Sequence, residues 1–162
     1  TIQLDMSLPE RFDLSYVGND NEKHRPVMIH RVIFGSIERF MGIMIEHFAG
    51  RFPLWLAPVQ AVILPINDAL APFAEEINRR FFRAGLRTSV DDRTESLNKK
   101  VREAQLAKIP LILTVGDKEK SAGTLAVRTL EGQVHHGVPI ETFINAVSDN
   151  VQNRSLRLPV IG

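Results

Sequence analysis

Apolar residues at Ile37, Phe40, Met41, Met44, Ile45 and Phe48 recur at the three-and-four spacing of one helix face. Ser36 stands where such a helix needs an N-cap, and Gly50 where it needs a C-terminal stop. A face that wide needs a sheet to cover it. Ahead of it the period changes to two. Ile2, Leu4 and Met6 alternate with polar residues and predict a half-buried strand. Ser15–Val17 and the β-branched run Val27–Phe34 read as strands, separated by the turn cluster Gly18-Asn19-Asp20-Asn21-Glu22. Tyr16 and the Val27 run are expected to pair antiparallel. Pro53 and Pro58 then bracket a stiff connection through Leu54-Trp55-Leu56-Ala57.

From Val59 the pattern is different. Ala61–Leu64 and Leu111–Val115 are continuous apolar runs, as expected of a central parallel pair buried on both faces. Between them lie a helix capped by Asp68 with Leu70, Phe73, Ile77 and Phe81 on one face, a stop at Gly85, a short strand over Leu86–Val90, and a helix over Thr94–Ala107. Gly116-Asp117-Lys118 reads as a turn. Thr124–Thr129 is a strand with Leu125 and Val127 on one face, and Gln133–His136 is a candidate last strand. Pro139 opens a helix carrying Ile140, Phe143, Ile144, Val147 and Val151. The order β-α-β-α-β-β-α predicts an α/β domain, a mixed sheet flanked by helices, over residues 59–162. Residues 1–58 offer a few strands and one helix, and read as the end of a larger antiparallel domain.

Composition agrees with a globular chain. Of 162 residues 44% are hydrophobic and the net charge is +1, which excludes a disordered chain. No Cys is present, so neither a disulfide scaffold nor a thiolate metal site can come from this chain. No apolar run approaches the roughly 20 residues of a membrane span. Charge is uneven. Residues 79–108 hold nine Lys/Arg against four acids, a stretch that attracts a polyanion or forms a solvated helix surface.

Individual residues leave alternatives open. His30 lies in phase with Met28 and Val32 and reads as a core or turn histidine with satisfied nitrogens; the alternative, metal binding, needs partners, and no His, Asp or Glu lies at close ligand spacing. Arg39 stands in the first turn of a helix, where the backbone dipole disfavours a cation. It needs an anion, an aromatic face or Glu38 as compensation. Gly35 before it allows close backbone approach to a flat ligand. His135-His136 read as an exposed edge and Asp91-Asp92 as a turn pair. The loop Gly116-Asp117-Lys118-Glu119 follows a buried strand, where α/β sheets bind ligands. Neither a Walker loop, a GxGxxG run nor a nucleophile elbow occurs.

The stretch "MIHRVIFGSIER" with "LWLAPVQ" after it resembles the end of the catalytic domain of the threonyl-tRNA synthetase family, "GSIERF" standing as class II motif 3. The remainder, with "GDKE" and "AVRT", resembles that family's anticodon-binding domain. The resemblance covers nearly the whole chain. It implies ATP-dependent activation of threonine and its transfer to tRNA, with Mg²⁺ accompanying ATP. It further implies a zinc ion for which His30 is one ligand, a homodimeric parent and a cytoplasmic location, an organellar copy being the alternative. Arg39 matches the motif 3 arginine on the ATP adenine. Thr1 and Gln3 of "TIQLD" match the strand bordering the adenylate site, and Gly35 and Ser36 its edge.

In the second domain the resemblance implies that Glu119 and Arg128 read anticodon bases. Arg102 is expected on the same nucleic-acid side. Thr94 falls where relatives often carry Asn, and Lys108 where they often carry Arg. Lysine touches phosphate but does not reproduce an arginine fork. The other ligands, motif 1 and motif 2 are not in these residues. The chain is therefore read as part of a longer enzyme and as inactive alone. The rival readings are a non-catalytic RNA-binding module and a small α/β ligand-binding domain without RNA.

Overall fold

The computed structural model describes residues 1–160; Ile161 and Gly162, at the end of the expected second domain, lie outside the described residues. The chain forms two compact units, Thr1–Glu46 and His47–Gly162.

In the first unit β1 (Ile2–Asp5) pairs antiparallel with β4 (Met28–Arg31), and β2 (Tyr16–Val17) with β3 (Lys23–His24). The expected pairing of Tyr16 with the Val27 run is thus corrected. The Gly18–Glu22 turn is tight enough to fold Tyr16 back onto His24, which leaves the later run free to pair with β1. Asp5 ends β1 and its carboxylate accepts hydrogen bonds from Ser7 and Leu8 N–H at 2.9 and 3.0 Å. That starts α1 (Ser7–Arg11), a turn of helix the apolar pattern does not announce. The expected half-burial of β1 is not found: Ile2 and Leu4 are 66% and 65% exposed. The helix α2 (Ile37–His47) forms on the predicted face, and Arg39 N–H donates to the Ser36 hydroxyl at 3.3 Å. Its apolar side is uncovered, with no buried residue.

The second unit is built on β5 (Ala61–Pro65) and β7 (Leu111–Val115), parallel and adjacent. Their neighbours are β6 (Thr88–Val90), parallel to β5, and then β8 (Thr124–Thr129) and β9 (Val134–Pro139), antiparallel beyond β7. The sheet order is β6-β5-β7-β8-β9. Alternation sorts the central strands onto two cores. Ala61, Ile63, Leu111, Leu113, Leu125 and Val127 face α3 (Ala71–Arg83) and α6 (Ile140–Gln152). Val62, Leu64 and Ile112 face α4 (Leu97–Leu106) through Ala104, with Leu97 and Val101 beside it. The larger core closes with Phe81 edge-on to Phe143, ring centroids 6.1 Å apart.

Several boundaries shift. A 3₁₀ turn, Asp68–Leu70, precedes α3, and Asp68 makes no capping bond. The fourth helix begins at Leu97 because the Ser96 hydroxyl accepts from Lys99 N–H, rather than at Thr94. Gly116-Asp117-Lys118 is not a simple turn; it opens α5 (Asp117–Ala122). The connection before β5 belongs to this core. Leu54 is buried, and the buried Gln60 amide donates to the Leu54 carbonyl at 2.9 Å while its oxygen accepts from Arg87 N–H at 2.8 Å. Arg87 in turn donates to the carbonyls of Trp55 and Ala57. No helix among the described residues is long and apolar enough to cross a membrane.

Phe81 is fully buried and its neighbour Phe82 is 78% exposed. Phe81→Ala is expected to lower unfolding free energy by about 3–5 kcal/mol and Phe82→Ala by less than about 0.5 kcal/mol. Urea titration of the two variants measures the contrast; equal losses would contradict the packing.

Candidate nucleic-acid interface

Of the nine cations in residues 79–108, most are engaged inside the fold. Arg80 pairs with Glu76 and Glu141, and Lys99 with Glu95. Arg87 holds the connector carbonyls, and the Lys108 ammonium donates to the Ala49 carbonyl. Lys100, which the sequence counts among the surface charges, is 4% exposed and donates to the Asp91 carbonyl at 3.0 Å. Arg93 lies between two carboxylates. Its Nε and Nη2 donate to Asp91 at 2.8 and 2.7 Å, and Nη2 also donates to Glu103 at 2.6 Å. Arg79, Arg83 and Arg102 remain with no side-chain hydrogen bond or ion pair among the described residues.

The sheet decides where the anticodon candidates stand. Thr94 and Glu119 follow β6 and β7, past the C-terminal ends of the parallel strands, where open α/β sheets bind ligands. Lys108 precedes β7, at the opposite end, with its backbone in the left-handed region at φ 55°. Arg128 lies opposite Ile112 on β7 and Val134 on β9. Cross-strand partners share a face, so Arg128 stands on the α4 side of the sheet. Arg102 is exposed on α4. Alternate residues of β8 on this side, Thr124, Ala126 and Arg128, are half-buried where those on the other side are buried. The Arg128 guanidinium has no hydrogen bond or ion pair among the described residues.

Glu119 is partly engaged. Its Oε2 accepts from Gly116 N–H at 3.0 Å, closing the first turn of α5. The other carboxylate oxygen accepts no hydrogen bond among the described residues, so it is available as an acceptor. A Cβ at Gly116 would stand 2.8 Å from both Glu119 Oε2 and Ile66 Cδ1, so a side chain there displaces the ends of those two side chains.

In the first unit, period two and the β1–β4 register put Thr1, Gln3 and His30 on one face of the ribbon, Gln3 directly opposite His30. Thr1 exchanges backbone hydrogen bonds with Val32. His30 Nε2 lies 3.0 Å from Asp5 Oδ2. Hydrogen bonds from Leu8 N–H and then from His30 hold the Asp5 carboxyl below its ordinary value. Sequence spacing missed this partner because it lies across the ribbon. No group of three His, Cys, Asp or Glu side chains gathers among the described residues. Gly35 adopts φ 69°, and Arg39 is exposed on the first turn of α2.

Asp91, Arg93, Lys100 and Glu103 are the interacting residues that sequence reasoning missed. One signal was present: Lys100 falls on the apolar stripe of α4, between Leu97 and Ala104.

Residues 60–150 match the family described as the anticodon binding domain, and residues 1–48 match the class II tRNA synthetase core domain for G, H, P, S and T. The threonine–tRNA ligase of Desulfosudis oleivorans is 65% identical over 99% of this chain and 25% of its own length. That of Desulfatibacillum aliphaticivorans is 64% identical over 96% of the chain and 24% of its length. The chain thus spans about a quarter of the length of these curated relatives. The crystal structure of the RNA binding domain of threonyl-tRNA synthetase from Cryptosporidium parvum superposes with a TM-score of 0.77 at 32% identity, over 98% of this chain and 39% of that one.

The Arg93 guanidinium holds the Asp91 carboxyl below its ordinary value. A carboxyl depressed in the folded state stabilises above its unfolded pKa of about 3.9 and loses that contribution as pH falls through the folded value. Asp91→Asn is therefore expected to flatten the rise of stability with pH in the acid range below about pH 4. Denaturant titrations across that range measure it; an unchanged slope would remove Asp91 from the acid limb.

Proposed function

We infer the function of this chain from one premise: it belongs to the anticodon binding domain family, with a segment of the class II synthetase core ahead of that domain. We propose that it is part of a threonine–tRNA ligase in which residues 59–162 bind the anticodon stem-loop of tRNA and residues 1–58 contribute to the adenylate site. The observation that carries the reading is Arg128. A half-buried guanidinium without a protein partner among the described residues, on the α4 side of the sheet, suits an unpaired base. An arginine presents a planar fork of donors to base acceptors, and the free Glu119 oxygen accepts from an exocyclic amine. Arg102 supplies charge for the backbone. Thr94 stands exposed past β6 and can donate or accept through its hydroxyl. Lys108, held against Ala49, reaches RNA only by leaving that carbonyl.

For the parent enzyme the reaction is formation of threonyl-adenylate from threonine and ATP with Mg²⁺, then transfer to tRNA. In this reading Arg39 stacks on or pairs with the nucleotide, and Thr1, Gln3, Gly35 and Ser36 border it. Catalysis of this kind depends on positioning and charge stabilisation rather than on a nucleophilic side chain. His30 fits the part of one metal ligand: a carboxylate holds one ring nitrogen and leaves the other for a cation, the usual arrangement of ligating histidines. His30 would be one ligand of a zinc ion, which would supply a polar discrimination of threonine against valine. A homodimer in the cytoplasm completes the reading.

Binding of the threonine anticodon stem-loop and of a scrambled loop across a salt series tests the RNA assignment. Arg128→Ala is expected to lose about 1–3 kcal/mol on the threonine loop and to relax base preference. Lys120→Ala, an exposed cation on α5, is expected to weaken both loops equally and reduce the salt slope by about one. Absence of any preference in the wild-type chain overturns the assignment and favours a generic RNA module. In the full-length protein, His30→Ala is expected to lose bound zinc by metal analysis; retained zinc removes His30 from the site.

A further inference from the structure

We propose that Arg93 and Glu103 are positioning residues, forming a clasp that holds the loop bearing Thr94 in its base-reading conformation. The proposal rests on the anticodon reading above and deepens it. The loop between β6 and α4 is tied at three levels. At its root, Asp91 N–H donates to the Ile63 carbonyl of β5 at 3.0 Å, and the Asp91 carbonyl accepts from the buried Lys100 ammonium. Across its width, Arg93 grips the Asp91 carboxylate with two nitrogens and reaches Glu103, two turns along α4. On its far side, Glu95 N–H donates to the Arg93 carbonyl at 2.8 Å. Thr94 is the residue left over. It is exposed, lies between the two tied residues, and its hydroxyl has no hydrogen bond among the described residues.

Position in a basic stretch makes Arg93 look like a phosphate contact. The geometry argues otherwise. A guanidinium neutralised by two carboxylates has little net charge to offer a phosphate, and its donors on that edge are occupied. Its work is mechanical. A loop held in one conformation loses less entropy on binding, and a base contact made from it retains its direction. Lysine cannot replace it, because a single ammonium does not span a bidentate carboxylate and a second acid together.

The sign of the electrostatics makes the test decisive. Removing an acid from an RNA-binding surface, by charge alone, tightens binding of every RNA. If Glu103 is a clasp, Glu103→Ala instead weakens the threonine anticodon stem-loop three- to tenfold while leaving the scrambled loop unchanged or tighter. Glu103→Gln keeps an acceptor for Arg93 and is expected to restore most of the preference. Arg93→Lys is expected to behave like Glu103→Ala in the ratio of the two affinities. Each variant is made in the 162-residue chain and its thermal midpoint recorded. Tighter binding of both loops by Glu103→Ala, or an unchanged ratio in both Glu103→Ala and Arg93→Lys, overturns the clasp while leaving anticodon recognition standing. No preference in the wild-type chain is the separate result that removes the anticodon reading and the clasp with it.

Discussion

The second unit depends on two strands, β5 and β7, that are apolar on both faces. A strand of this kind cannot lie at a solvated surface, so helices must cover it from both sides. Helices α3 and α6 supply one layer and α4 the other. The antiparallel strands β8 and β9 carry the sheet past that cover on the α4 side. Polar and small side chains alternate with core residues along β8, and there Arg128 stands half-buried. The same demand for burial that fixes the core therefore also creates the place where a ligand can lie on the sheet.

Charge is organised by the same scaffold. A stretch with nine cations and four acids reads as a general attraction for polyanions. The fold divides it into local ion-paired groups: Arg80 between two glutamates, Arg93 between Asp91 and Glu103, Lys99 on Glu95. Exposed pairs of this kind contribute little to stability individually. Their consequence is to restrict the long-range field to the cations left over, and to give the β6–α4 loop a definite shape.

The first unit follows a different constraint. Its ribbon and helix are amphipathic, yet the apolar sides of β1 and α2 are exposed among the described residues. Local hydrogen bonding holds the elements: the β1–β4 ladder, the Asp5 carboxylate on Ser7 and Leu8, the Ser36 cap. The ladder also gathers Thr1, Gln3 and His30 onto one face, although His30 lies twenty-seven positions after Gln3 in the chain.

Much was legible in sequence because it rests on short-range rules. Apolar runs at 61–64 and 111–115 marked the central parallel pair, period 3.6 marked the helix 37–47, and Ser36 marked its cap. The motif residues of the family were legible for the same reason, since a motif is a local string. What pairing and packing decided was not legible. Asp5 meets His30 only because β1 and β4 align; Tyr16 turns back to His24 instead of reaching the Val27 run. A turn at Gly116 became a helix once Glu119 folded back onto Gly116 N–H. Lys100 looked like surface charge until α4 packed and drew it under Asp91. By itself the sequence determined most of the elements and the residue types along them. Only the tertiary structure decided which cations are neutralised and which stay free, because ion pairing depends on distances that a linear chain does not contain.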